Sequence, residues 1–195
     1  MTARPDRALL LTPGAGHDRD QSSLVAIEAA LVVHGFAVER MDFPYRRAGR
    51  KAPDRAPVLI EAVRKGAADL ASRTRLPPDE IALGGRSMGG RMCSMAVAEG
   101  LPARALVLIA YPLHPPGKPD RARTEHLPAL QVPCLFVSGT RDSFGTPAEL
   151  EAATSVIRGP VTHVWVDGGD HGLRRRDAEV TDAVRDWLLA LEPTA

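Results

Sequence analysis

The segment Gly85-Arg86-Ser87-Met88-Gly89 sets a serine between two glycines, after the apolar run IALGG and before the helix-forming stretch MGGRMCSMAVAEG. Strand, sharp turn and helix in that order are what a nucleophilic hydroxyl needs. Small neighbours let the chain bend tightly and let a carbonyl group approach Oγ. The helix beginning beyond Ser87 also aims free N–H groups and its positive dipole end at the same point, which favours a developing oxyanion. Without that setting, G-x-S-x-G in a chain with 17 glycines is equally a glycine-rich turn. Rival glycine motifs fail. Gly84 and Gly89 have a P-loop spacing, but Gly90-Arg91 stands where Lys-Ser or Lys-Thr is required. Gly14-Ala15-Gly16 runs on to Arg19 where a dinucleotide fingerprint has its third glycine.

A serine nucleophile needs a base and an acid to orient that base. Asp142 lies in SGTRD directly after CLFV, and His171 lies in DGGDHG directly after the last apolar run. Both fall at carboxyl ends of expected strands, where the crevice of an open parallel sheet forms, and the order Ser, Asp, His is that of α/β-hydrolase sheets. Alternatives stand beside each: Asp142 as a turn cap, Asp167 or Asp170 as the acid, His171 as a surface loop residue. The loop Thr12-Pro13-Gly14-Ala15-Gly16 is the expected source of a second oxyanion donor, Ala15 N–H joining Met88 N–H. His17 and His114 each follow a strand's carboxyl end and are candidates to line the pocket. His34, His126 and His163 fit a helix end, a connection and a strand start.

These residues need elements to position them. Short apolar runs at 8–12, 36–42, 81–85, 105–110, 134–138 and 163–166 read as six strands, several apolar throughout, as suits strands covered on both faces. Between them lie helical periods: Leu24, Ile27 and Leu31; Leu59, Ile60, Val63, Ala67, Leu70 and Ala71; a helix over 87–99; and Val180, Ala183, Val184, Trp187, Leu188 and Leu191, with Trp187 in the core. Thr146, Pro147 and Glu149 spell a capping box at the start of another. The alternation predicts an α/β fold, a doubly wound, mostly parallel sheet in one domain over 1–195. The proline-rich strip 111–132 leaves no room for a large cap, so the expected site is open and shallow, suited to small acyl groups.

Composition narrows the function classes. The 195 residues carry 25 Lys plus Arg against 24 Asp plus Glu, a net charge of +1, and 44 % hydrophobic residues. That balance disfavours nucleic-acid binding through phosphate neutralisation and argues for a chain that folds on its own. The start, MTARPDRALLLTPG, reads as neither signal peptide nor membrane span. Cys93 and Cys134 sit in apolar surroundings with no zinc, haem or disulfide spacing, so a reducing cytoplasm is expected, with buried thiols and neither metal nor organic cofactor. Basic runs at 45–51 and 174–176 read as solvated faces; as a minority reading, Arg46 or Arg47 could pair a substrate carboxylate through the guanidinium fork.

The segments LLLTPGAG, GGRSMGGRM, YPLHPPGKPDRARTEHL, VSGTRDSFGTPAEL and GGDHGL together resemble the small α/β-hydrolase family related to dienelactone hydrolases. The resemblance is closest to the branch of testis-expressed and NSL-complex subunit proteins and covers nearly the whole chain. One departure is Pro13-Gly14 where many α/β-hydrolases carry His-Gly. The resemblance implies an α/β-hydrolase fold with Ser87, Asp142 and His171 as nucleophile, acid and base, in agreement with the strand order. The combined expectation is serine hydrolysis of a small-molecule ester or related acyl substrate by a monomer or homodimer, with no nucleic-acid or membrane partner. The alternatives are acyl transfer by the same residues, or a non-catalytic interaction module on the same fold.

Overall fold

A computed structural model describes residues 5–191. The first four residues of the amino-terminal stretch lie outside the described residues. The elements in chain order are β1 (Arg7–Thr12), α1 (Ser22–Val32), β2 (Phe36–Arg40), α2 (Pro44–Arg47), α3 (Ala56–Thr74), β3 (Ile81–Arg86), α4 (Met88–Ala98), β4 (Leu106–Ile109), β5 (Cys134–Gly139), α5 (Pro147–Thr154), β6 (Val161–Val166) and α6 (Asp177–Ala190). The strands form one sheet in the order β2-β1-β3-β4-β5-β6, every neighbouring pair parallel. This is the α/β-hydrolase arrangement that the pattern predicts.

Period-two alternation explains why whole strands are apolar. Leu10, Leu83, Leu108 and Phe136 face one core together with Leu59, Val63 and Leu70 of α3 and Met92 and Ala96 of α4. Leu9, Leu11, Val107, Ile109, Leu135 and Val137 face a second core with Leu24, Ile27 and Leu31 of α1 and Val180, Val184 and Leu188 of α6. Each such side chain withdrawn from water contributes about 1.5–3 kcal/mol, so neither face tolerates a polar residue cheaply. Among the described residues no helix is long and apolar enough to cross a membrane.

The capping box forms as spelled: Glu149 N–H donates to Thr146 Oγ1 at 3.3 Å, and Thr146 N–H to Glu149 Oε2 at 2.8 Å. Other details differ from the expectation. Trp187 is only half-buried, because its indole N–H must reach Thr162 Oγ1 at 3.1 Å at the sheet edge. His163 lies inside β6 rather than at its start, and β2 stops at Arg40. The short α2 was not expected; Pro44 at its first position initiates it. The strip between β4 and β5 holds only two short 3₁₀ turns, Pro119–Arg121 and Leu127–Ala129, pinned by buried Tyr111, Leu113, Leu127 and Leu130.

Strand order reverses direction at β1, whose neighbours are β2 and β3, with Thr12 in register opposite Gly85. The carboxyl ends of β1 and β3 therefore lie side by side at the switch point where crevices open.

Candidate active site

Ser87 sits between the end of β3 and the first turn of α4 with φ 50° and ψ −117°. A positive φ is costly for any residue bearing a Cβ. Its own N–H is held by Ile109 O at 2.8 Å, and the turn passes against the end of β1 so closely that its flanking positions must be glycine. A Cβ at Gly89 would lie 2.5 Å from Thr12 O and 2.6 Å from Pro13 O, and one at Gly85 would overlap Thr12. The same packing fixes Thr12, whose Oγ1 donates to Gly84 O at 3.0 Å.

Ser87 Oγ lies 2.9 Å from His171 Nε2, and His171 Nδ1 lies 2.8 Å from Asp142 Oδ2 and 3.0 Å from Oδ1. With the proton on Nδ1 donated to Asp142, Nε2 is the acceptor that faces the serine hydroxyl. Asp142 is 3 % exposed and takes a further hydrogen bond from Phe144 N–H at 2.8 Å, so its carboxylate is fixed in orientation. The phenyl ring of Phe144 stacks on the imidazole with centroids 3.9 Å apart. Of the alternative acids, Asp167 and Asp170 are exposed, and neither hydrogen-bonds His171.

Arg86, nine-tenths buried beside the serine, donates to His171 O at 2.9 Å and to Gly172 O. It ties the histidine loop to the nucleophile turn. Burial pushes its guanidinium below the usual arginine range, opposed by Asp177, Asp142 and Asp170.

Ala15 and Met88 line the same cleft. Met88 is the first residue of α4, whose opening N–H groups have no intrahelical acceptor. In the β1 loop Gly14 N–H is already taken by Gln21 Oε1 at 3.1 Å, whereas Ala15 N–H meets no acceptor among the described residues. Tyr45 OH donates to Ala15 O at 2.8 Å and so holds the next peptide of the loop. Together these amides can stabilise negative charge beside Oγ.

The cleft is about 470 Å³ in volume, and its lining includes apolar Met88, Pro112 and Phe144 and polar His17, Arg91 and Arg123. His17 therefore lies where the sequence suggested. His114 and Arg47 do not. His114 is 5 % exposed and turned inward, its ring nitrogens meeting Pro115 O at 2.9 Å and Glu149 Oε2 at 3.4 Å. Its backbone N–H, donating to Phe144 O at 2.9 Å, steadies the acid loop instead. Arg47 is carried by α2 to a separate hollow of about 180 Å³ with Arg40, Lys65 and Asp69, because β2 is the edge strand and its carboxyl end lies beyond β1. Its neighbour Arg46 pairs with Asp18 at 3.4 Å.

Tyr45, Arg86, Arg91, Arg123 and Phe144 escaped the sequence reading. Arg86 alone had a local signal, since it occupies the variable position before the serine. Cys93 and Cys134 are buried, each thiol pushed up to about 12 by burial, and Cys93 sits under the nucleophile turn, 3.5 Å from Thr12 Oγ1. Both are inert fillers of the core.

Comparison with known proteins agrees with this fold. The sequence model of the alpha/beta hydrolase domain matches residues 5–191. Epoxide hydrolase A of Mycobacterium tuberculosis is 41 % identical over 64 residues, covering 32 % of this chain and 20 % of that protein. The match thus spans about a fifth of that relative's length. Among solved structures, Est1E from Butyrivibrio proteoclasticus with ferulic acid bound superposes with a TM-score of 0.78 at 16 % identity, covering 96 % of this chain and 90 % of that one. An alpha-beta serine hydrolase homologue from Coxiella burnetii gives 0.77 at 19 % identity over 95 % and 88 %. A dienelactone hydrolase from Anabaena variabilis gives 0.73 at 20 % identity over 97 % and 88 %.

Proposed function

The chain belongs to the alpha/beta hydrolase domain family, and from that premise we propose that it is a serine hydrolase acting on esters or related acyl compounds. Ser87 Oγ attacks the acyl carbon while His171 Nε2 takes its proton; Asp142 holds the imidazolium that forms. The amides of Ala15 and Met88 receive the oxyanion of the tetrahedral intermediate. Collapse expels the alcohol, to which His171 returns the proton, and water then releases the acyl group by the same sequence of steps.

The observation that carries this reading is the unbroken contact chain from Ser87 through His171 to Asp142, at 2.9 and 2.8 Å, on a residue whose φ of 50° is held against steric preference. Strain of that kind persists where the surrounding structure over-determines it. Within the family, the strip YPLHPPGKPDRARTEHL supports placement near the testis-expressed and NSL-complex subunit branch. The free buried thiols agree with a reducing cytoplasm as the site of action.

The test is labelling with a fluorophosphonate probe together with hydrolysis of 4-nitrophenyl butyrate. Wild type should label once and turn over; Ser87→Ala should do neither. Absence of labelling in wild type, or turnover that survives in Ser87→Ala, would overturn the assignment.

A further inference from the structure

Several arginines find an acid: Arg40 pairs with Glu28 and Asp20, Arg64 with Glu99, Arg73 with Glu39, Arg176 with Glu179. Three that line the cleft beside Ser87 do not, and of these Arg86 is tied to the carbonyls of His171 and Gly172. Arg91, from the first turn of α4, and Arg123, from the strip after β4, make no ion pair among the described residues. Arg91 Nε is buried without a hydrogen-bond partner, and Arg123 has one side-chain bond, to Pro112 O at 3.2 Å. Both residues are half-buried. The influences on Arg123 are burial first and the positive charge of Arg91 second, both disfavouring its own charge, with only the Tyr111 phenol opposing.

Two like charges gathered in a cleft with no carboxylate between them are unfavourable unless an anion joins them. The protein nevertheless builds the pair rigidly. Ser94 Oγ donates to Arg91 O at 2.8 Å and lies 2.8 Å from His126 Nε2; Tyr111 OH donates to Arg123 O at 3.1 Å and lies 3.4 Å from the same Nε2. One buried Ser-His-Tyr network therefore anchors the backbones of both arginines. The imidazole at its centre is pushed down to about 4, by burial and then by Arg91, so it adds no charge of its own. Glu99 and Glu125 act on that imidazole from outside the network, and Glu99 is engaged by Arg64.

From this juxtaposition we propose that Arg91 and Arg123 form an anion-binding subsite of the hydrolase site, taking a carboxylate on the acyl part of the substrate. The proposal rests on the serine-hydrolase reading and names its substrate class: half-esters of short dicarboxylic acids. Guanidinium forks match carboxylates two bonds at a time. Arg91 N–H donates to Ser87 O at 3.1 Å, so this arginine follows the nucleophile by one helical turn. A dicarboxylic acyl chain of a few methylenes, as in adipate, is therefore the probe.

The test compares mono-4-nitrophenyl adipate with its methyl-capped diester, the ratio of their kcat/KM values being the readout. In wild type the charged ester should lead by about tenfold or more, since charge-assisted hydrogen bonds are the strong ones. Arg91→Gln and Arg123→Gln should each reduce the ratio by about tenfold, and Arg91→Lys should restore part of it. Arg158→Gln, an exposed arginine outside the cleft, should leave the ratio as in wild type. An unchanged ratio in both glutamine variants, with turnover still dependent on Ser87, would remove the subsite and leave the serine-hydrolase reading standing. Loss of Ser87-dependent turnover on both esters would remove that reading instead. The subsite is then decided by calorimetric titration of Ser87→Ala with adipate and, separately, with inorganic phosphate. Adipate binding that disappears in Ser87→Ala/Arg91→Gln upholds it; no adipate binding, or binding of phosphate alone, overturns the carboxylate assignment.

Discussion

Replacing Ser87 with glycine and, separately, with alanine isolates the backbone strain of the nucleophile turn from its chemistry. Both variants lose the hydroxyl and its contact with His171, and neither loses a helix cap, because the Ser87 side chain makes none. They differ by one methyl group on a backbone held at φ 50° and ψ −117°. Such a conformation costs an L-residue about 1–3 kcal/mol, and glycine escapes it. Against that gain, glycine loses more freedom on folding, by about 0.5–1 kcal/mol. The half-buried methyl adds little packing. Ser87→Gly should therefore be more stable than Ser87→Ala by about 1 kcal/mol, with an upper bound near 2.5 kcal/mol set by the same two ranges. For a chain of this size, 1 kcal/mol corresponds to about 2–4 °C in Tm. Urea denaturation of both variants measures the difference directly, with equal m values required for the comparison. If Ser87→Ala is as stable as Ser87→Gly or more so, the turn is not strained, and the argument that tight packing against Thr12 holds the serine in place is wrong.

Four further outcomes follow from the same contacts. Asp142→Asn should lower kcat by about 10³–10⁴ with the fold intact, because an amide can donate to Nδ1 and so fix the wrong imidazole tautomer; kinetics paired with a thermal melt checks it, and a loss under tenfold speaks against Asp142 as the acid. Gly89→Ala should destabilise by roughly 1–3 kcal/mol and lower esterase activity, since its Cβ would press on backbone oxygens of Thr12 and Pro13 that cannot swing away. His126 is held neutral in the fold at about 4, while in the unfolded chain it binds a proton near 6.5. Its contribution to stability is thus complete above about pH 6.5 and falls as pH drops toward 4, so His126→Gln should flatten the urea midpoint between pH 7 and 5; parallel curves would count against it. Finally, 4-nitrophenyl esters should gain little in kcat/KM beyond acyl chains of about eight carbons, since each further CH₂ contributes roughly 0.8 kcal/mol only where it can be buried. A steady rise would reveal an apolar channel that the cleft does not have.

The parts of the site legible in the sequence are those where topology and chemistry restrict residue type. Ser87 must follow a strand and be flanked by glycine, and Asp142 and His171 must follow later strands at the same sheet edge. Each condition leaves a mark within a few residues of the position concerned. The strands were legible for a related reason: Leu9 and Leu10, or Leu108 and Ile109, point to different cores, so burial on both faces makes the whole run apolar. Boundaries were less legible: β2 stops at Arg40, whose side chain is held by Glu28 and Asp20, partners that no local pattern announces.

Residues acting across the fold left no such mark. Tyr45 reaches Ala15 from 30 positions away, and Arg86 reaches the histidine loop from 85 and 86 positions away. Arg47 was considered for the pocket because it follows a strand's carboxyl end, yet that criterion works only near the switch point. β2 lies one strand outside it, so the same rule that brings Ser87 and the Ala15 loop together sends Arg47 to the flank. Arg91 and Arg123 show the converse. Neither was singled out, one lying in an ordinary helical turn and the other in an irregular strip, but the absence of a helix between β4 and β5 lets that strip fold back over α4. The short crossover thus leaves the cleft open and brings Arg123 toward Arg91, so in the proposed reading the size of the acyl group and the sign of its charge depend on the same stretch of chain.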